Sequence, residues 1–403
     1  MSNSINRTTD AGLSAEMRTF YSDYLIDNAT PKLVHDQFGQ KHPIPKNGGK
    51  TIQFRKYSPL QKALTPLTEG VTPDGQKLNV STVEATVKQY GRHIEMSDML
   101  VLTSVDNNII QATRLLGNQA GATLDTITRE ILNGGTNVQY AEGQVNGRHL
   151  LVGGKQSGNH YMTVDAVRRA ARYLKTQNAE KIGDSYVAII HPDIAYDLMC
   201  DPAWQNVKTY CDPRDMYEGE IGKIAGVRFV ETTEAKIFKG APLTAGAANL
   251  TLKGTASSAN SMVMVAEAVS ADEATALKGR YVLLNGVRYK ILSVIAGSAG
   301  TAAITLDGEV TQQNGDILYP GEGGAEGRAV YSTLILGENA YGVTEIQGGG
   351  LRHIVKQLGS SGTADPLDQR GSVGWKATRT AERLVESFMI RIETTSTFDG
   401  EPN

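Results

Sequence analysis

Residues 50–95 place the tightest limit on the fold. Thr51-Ile-Gln-Phe-Arg-Lys-Tyr57 alternates apolar and polar residues, and Val83, Ala85 and Val87 repeat the pattern towards Gln89. The spacing predicts two strands, each with one apolar face. Between them runs an excursion of roughly twenty-five residues, far longer than an ordinary hairpin loop. It holds Pro59, Pro66, Gly70, Pro73 and Gly75 and little apolar material of its own. Such a segment is out of place in a compact enzyme. It suits a subunit that lays part of its chain over a neighbour. Residues 1–45 add to the same problem. Met17, Tyr21, Tyr24 and Leu25 predict a short amphipathic helix over 15–27, and Pro43 and Pro45 then block regular helix. An arm of this kind docks on another surface, of its own chain or of another copy.

The rest of the chain reads as mixed α and β. Ile109, Ala112, Leu116, Ala120, Leu124, Ile127 and Ile131 recur every three or four residues, with Asp106 as N-cap and Gly134-Gly135 as terminator. They predict a helix over 106–133, roughly 40 Å long. A second helix is expected over 163–178, capped by Thr163. Tyr186–Ile190 reads as a fully buried strand. His191-Pro192 opens a short helix to Met199, closed by Asp201-Pro-Ala-Trp204, and Gly226–Thr232 is another strand. Over 240–330 the aromatics thin out. Asn285-Gly286 and Asp307-Gly308 signal hairpin turns there, so this stretch is expected to be a small all-β module inserted between glycine-rich flanks. Ala329–Leu336 reads as a strand. Phe388, Ile390 and Ile392 alternate with Met389, Arg391 and Glu393, the pattern of a half-buried strand.

Composition removes several function classes. The 403 residues suit two or three structural units. Gly, at 43 residues, is about 11% against a usual ~7%, which implies many turns. Forty basic against 43 acidic residues exclude a histone-like DNA coater. No apolar run approaches the ~20 residues of a membrane helix, and the polar start has no signal-peptide core. Cys200 and Cys211 are read as two free thiols in a reducing compartment.

The candidate chemistry is thin. Asn47-Gly-Gly-Lys-Thr51 resembles the end of a phosphate-binding loop, but Ile44 stands where the first glycine belongs. His191 and Asp193 lie at the carboxyl end of a strand, where open α/β sheets bind ligands. With Cys200 or Cys211 they invite a nucleophilic reading, yet no nucleophile elbow accompanies them. A helix-start role explains Pro192 and Asp193 better. Glu218/Glu220 and Asp212/Asp215 read as solvated loop charge, with a glycosidase-like pair left open. His35, His42, His93, His149, His160 and His353 show no metal spacing. No catalytic, cofactor-binding or metal-ligating residue is assigned. The residues favour a structural or interaction protein over an α/β hydrolytic enzyme with a β lid.

Several stretches resemble the major capsid proteins of tailed bacteriophages with the Hong Kong 97-like fold, most closely the coat family of the N-four-type podovirus. They are Tyr57-Ser-Pro-Leu60, Leu67-Thr-Glu-Gly-Val-Thr-Pro-Asp-Gly-Gln76, Gln89-Tyr-Gly91 and Ser97-Asp-Met-Leu100. Further on stand His191-Pro192, Asp201-Pro-Ala-Trp204, Gly219-Glu-Ile-Gly222, Gly226–Thr232, Asp365-Pro-Leu-Asp-Gln-Arg370 and Val373-Gly-Trp-Lys376. The resemblance implies an α+β capsid fold. Residues 1–45 would be the N-terminal arm, and 46–95 the extended loop. Residues 96–160 and 351–403 would form the peripheral domain around spine helix 106–133. Residues 161–350 would form the axial domain, carrying the module at 240–330. It implies self-assembly into hexameric and pentameric capsomers of an icosahedral shell, with a portal and scaffolding or decoration proteins as partners; a phage tail or decoration structural protein is the alternative beside it. Packaged double-stranded DNA would touch the inner surface non-specifically. The site of action would be the virion, with assembly in the bacterial cytoplasm and no membrane partner. Phe54, Tyr57, Leu60, Leu67 and Val71 are expected at inter-subunit contacts.

Overall fold

The computed structural model describes residues 34–403 except 58–59, 61, 63, 65, 67–68, 71, 73–74, 104–107, 142–144, 154–159, 206–221, 255, 357–366 and 402. The helix expected over 15–27 and the Asp106 cap lie outside the described residues. The chain divides into two compact units. One holds residues 1–132 and 339–385, the other 133–338 and 386–403. Chain passes between units at 132/133, 338/339 and 385/386.

The first unit begins with β1 (Gln40–Lys41), β2 (Thr51–Tyr57), β3 (Val80–Thr86) and β4 (Lys88–Ser97), then α1 (Asp98–Thr103) and the 26-residue α2 (Asn108–Asn133). Later chain adds β17 (Tyr341–Thr344), β18 (Arg352–Lys356) and β19 (Arg370–Arg383). β2 and β3 pair with each other alone, in register Thr51↔Thr86 to Tyr57↔Val80. The other five strands form one sheet around β19, whose first half lies between β4 and β18 and whose second half pairs with β17. Four residues of the expected α2 stripe are buried, and Ile127 is half-buried beside them. Ala112, Leu116, Ala120 and Leu124 pack on Val373, Trp375 and Ala377 of β19 and on Met96 and Leu100.

The second unit is built on a seven-stranded mixed sheet of β5 (Val138–Tyr140), β6 (Tyr186–Ile190), β7 (Lys223–Ile224), β8 (Val227–Glu231), β9 (Ile237–Phe238), β16 (Val330–Leu336) and β20 (Met389–Thr394). Two helices cover it, α3 (Val164–Thr176) and α4 (Pro192–Met199). Thr163 caps α3 as expected, its hydroxyl accepting the Ala166 N–H at 3.2 Å. Val167, Ala171 and Leu174 of α3 meet Ile190, Ile335 and Ile392 in the core.

β20 differs from its expected half-burial, because all six residues are buried. Its apolar face suits the centre of this sheet, where it pairs with β16 and β5. Residues 386–403 thereby belong to the second compact unit. The polar face is buried as ions. Glu393 is fully enclosed and takes a bidentate pair from Arg148 (2.7 and 2.6 Å) and a third bond from Arg391 Nε (2.7 Å). Arg391 also donates to the carbonyls of Asn133 and Gly135, and Arg148 stacks 3.4 Å over the Phe238 ring.

Residues 240–330 form β10 (Leu250–Thr251), β11 (Ala256–Met264), β12 (Tyr281–Leu284), β13 (Val287–Ile295), β14 (Ala303–Gln312) and β15 (Ile317–Pro320), ordered β10-β15-β12-β13-β14-β11. The ends of this order meet. Leu252 bridges Val265, and the Lys253 N–H donates to the Met264 carbonyl at 2.8 Å. The sheet thus closes around a core that includes Leu250, Val263, Val282, Ile291, Ile304 and Leu318. The region is not all β, since it also holds α5 (Ala271–Leu277), nucleated by a capping box between Ser270 and Glu273. Asn285-Gly286 makes the expected turn, with φ of 50° and 79°. Asp307-Gly308 does not. Neither residue has positive φ, and β14 runs through them. Both residues fall where β14 leaves register, after its pairing with β13 ends at Leu306 and before its pairing with β11 resumes at Val310, so the signal marks an irregularity within the strand and no hairpin.

The Glu393 cluster generates a test. Glu393→Leu leaves the buried Arg391 and half-buried Arg148 guanidinium groups without their counter-charge, and should cost about 3–5 kcal/mol in denaturant unfolding. An unchanged midpoint would refute the role given to this network.

Candidate assembly surface

The β2–β3 hairpin is well held at its base. The Val87 N–H donates to the Lys50 carbonyl at 2.9 Å, and Ala85 is 2% exposed. The Phe54 ring, half buried, meets His42 edge to face at 5.4 Å and sits over Gly342, where a Cβ would lie 3.3 Å away. Burial fades towards the tip. Val80 is 48% exposed, Leu60 57%, Leu78 69% and Leu64 82%. A two-stranded ribbon with water on both faces is marginal alone, so the exposed leucines form an apolar surface that lacks cover among the described residues. Of the residues expected at subunit contacts, Phe54 is at the root and Leu60 near the tip. Tyr57 ends β2, and Leu67 and Val71 lie outside the described residues. Further exposed apolar groups are Met99 and Leu102 on α1 and Leu115 on α2.

The chain that leads into the hairpin is clamped. Asp125 of α2, 1% exposed, accepts the N–H groups of Val34 and His35 at 3.0 and 2.8 Å and His35 Nδ1 at 2.7 Å. Asp36 accepts the Thr128 hydroxyl at 2.5 Å and pairs with Arg379 at 2.5 Å. The Tyr341 hydroxyl donates to the His35 carbonyl, and burial followed by the nearby Asp36 charge pushes its pKa up. Residues 34–36 are therefore fixed to α2, β17 and β19 together. No residue of this clamp was assigned a site from sequence. The available signal was Asp125 and Thr128 one turn apart on a helix face bordered by the apolar stripe.

The His191–Asp193 pair is a helix start. His191 caps α4, its Nδ1 accepting the Asp193 N–H at 3.2 Å. The Asp193 carboxylate accepts the Tyr331 hydroxyl at 2.7 Å, and that hydroxyl accepts the Gly400 N–H at 2.9 Å. Cys200 closes the other end of α4, about 12 Å away along the axis. The structure thus does not bring this thiol to the histidine. Cys211, Asp212, Asp215, Glu218 and Glu220 lie outside the described residues. Among the described residues no group of three His, Cys, Asp or Glu is placed to hold a metal ion, and no helix is long and apolar enough to cross a membrane.

Two outcomes follow from these side chains. Asp125→Ala strands three buried donors, and should lower stability by about 3 kcal/mol or more and open the 34–38 segment to proteolysis. Burial lowers the His191 pKa, with Asp193 opposing. The unfolded chain then takes the proton first, so stability falls as pH drops through about 6.5 towards the folded value. His191→Asn keeps a capping acceptor, and should lose less Tm than wild type between about pH 7.5 and 5. An equal loss would remove His191 from the acid response.

Comparison with known proteins agrees with this architecture. The chain is similar to the capsid of cyanophage P-SCSP1u, at 12% identity and TM-score 0.57 over 97% of both chains. It is similar to the capsid of Ralstonia phage GP4, at 14% identity and TM-score 0.55 over 100% of both. The head of Helicobacter pylori bacteriophage KHP40 gives 9% identity and TM-score 0.53 over 98% of this chain and 99% of that one. At such identities the likeness is one of fold. No curated protein matches the sequence. A family model described as phage capsid protein matches residues 104–357, more than half of the chain. The chain therefore belongs to the phage capsid protein family, and it is a major capsid protein, a structural subunit of an icosahedral bacteriophage shell.

Proposed function

We propose that this subunit builds the DNA-filled head of a tailed bacteriophage on the Hong Kong 97-like plan, in the manner of the N-four-type coat family. Residues 1–45 act as the arm and 46–95 as the extended loop. The unit with α2 is the peripheral domain, and the unit with the seven-stranded sheet is the axial domain, with residues 240–330 as an inserted module. One observation carries the loop assignment: a hairpin anchored at Phe54 and Ala85 whose leucines become more exposed towards the tip.

The physical logic is shared burial. Leu60, Leu64 and Leu78, with Tyr57, Leu67 and Val71 beside them in the sequence, lie on the next subunit and remove apolar area from water there. Each contact is modest, but in a closed lattice a subunit leaves only by breaking several at once. Hexamers and pentamers place the same loop in slightly different surroundings, which an apolar tip on a pivoting ribbon tolerates. A portal, and scaffolding or decoration proteins, complete the head, which assembles in the bacterial cytoplasm.

Deleting residues 65–77, or 1–33 ahead of the clamp, should abolish shells in negative-stain images and leave a folded subunit by circular dichroism. Normal closed particles from either truncation would contradict the arm and loop roles.

A further inference from the structure

The β4–β19–β18 sheet has two unlike faces. Val373 and Trp375 point to α2. Directly paired residues share a face, so the opposite face carries three rows: Arg352–Lys376–Gly91, Ile354–Gly374–His93 and Lys356–Ser372–Glu95. Arg352, Lys356 and Lys376 are exposed, and none makes an ion pair with a described residue. Glu95 is the one carboxylate of these rows, and it faces His93 at 3.4 Å. A cleft of about 380 Å³ opens on this face around Gly91 and Gly374. A Cβ at Gly91 would come within 2.6 Å of the Trp375 carbonyl oxygen, and one at Gly374 within 2.9 Å of the His93 Cβ. Close strand approach thus requires glycine at both places, and the floor is left as bare backbone rimmed by cations.

We propose that this face binds the phosphate backbone of the DNA inside the shell. The proposal rests on the reading of the chain as the wall of a DNA container. Charge and chemistry select the occupant. A protein partner is normally met by aromatic and apolar groups where lysine is scarce, and here the rows offer only Ile354. Phosphate contacts use Arg, Lys and hydroxyl groups, here Arg352, Lys356, Lys376 and Ser372. Arg352 and Lys356 are four residues apart on one strand, about 13 Å. Duplex DNA carries one charge per about 1.7 Å of axis, so the patch spans several phosphates. Without base-reading groups at its centre, the contact is independent of sequence.

The test is fluorescence anisotropy of the full-length subunit with a labelled DNA duplex at several salt concentrations. Substituting R352Q/K356Q/K376Q together should reduce the slope of log affinity against log salt by about 3, and weaken low-salt binding about tenfold or more. The control K278Q/K290Q, on the 240–330 module, should leave both unchanged. A wild-type subunit that does not bind the duplex, or a triple variant that binds like wild type, would overturn the proposal. So would a triple variant that keeps its DNA affinity but no longer assembles, because the face would then be a contact between copies. Failure of the container reading shows separately, as wild-type protein that forms no shells.

Discussion

A ribbon of two strands with water on both sides gains too little apolar burial to offset the entropy of ordering it. β2 and β3 meet that limit directly, since their ladder is complete but only the end near Ala85 and Phe54 finds side-chain cover. The account of this subunit follows from the shortfall. The base must be held rigidly enough to aim the ribbon, and the tip must find its burial elsewhere. The clamp at His35 and Asp36, the edge contact between Phe54 and His42, and the Gly342 gap under the Phe54 ring all serve the first need.

The two units meet their own needs differently. In the first, a long helix and a sheet share one continuous apolar seam, and the polar clamp fixes the incoming chain at one register on α2. In the second, apolar burial is ample, and the buried Arg148–Glu393–Arg391 cluster adds direction rather than bulk. Its fork-like hydrogen bonds admit one arrangement of β20 against residues 133–151. Specificity of this kind matters in a protein whose copies must all present the same surfaces.

Periodic features were legible in the sequence. The α2 stripe, the all-apolar β6 and the Asn285-Gly286 turn each follow from local spacing or turn chemistry. What could not be read depended on distant partners. Arg391 and Glu393 alternate with isoleucines as a half-exposed strand would, and their burial depends on Arg148 and on the Asn133 and Gly135 carbonyls, all more than two hundred residues away. Asp307-Gly308 carries a turn signal, yet the strand resumes at Val310 with β11 as partner and the pair becomes an irregularity within β14. β4 was not separated from β3, because Val87 continues the alternation while the backbone changes partner from β2 to β19. The two strands of the hairpin were legible for the opposite reason: their alternation is local, and the prolines and glycines between them mark a long, turn-rich connection.

Hydrogen–deuterium exchange of the β2–β3 amides, read in dissociated subunits and in closed shells, tests this most directly. The account predicts fast exchange towards the tip in the free subunit and strong protection in the shell, with residues near Ala85 and Val87 protected in both. Equal protection along the whole ribbon in the two states would mean that it is stable on its own chain, and would contradict the claim.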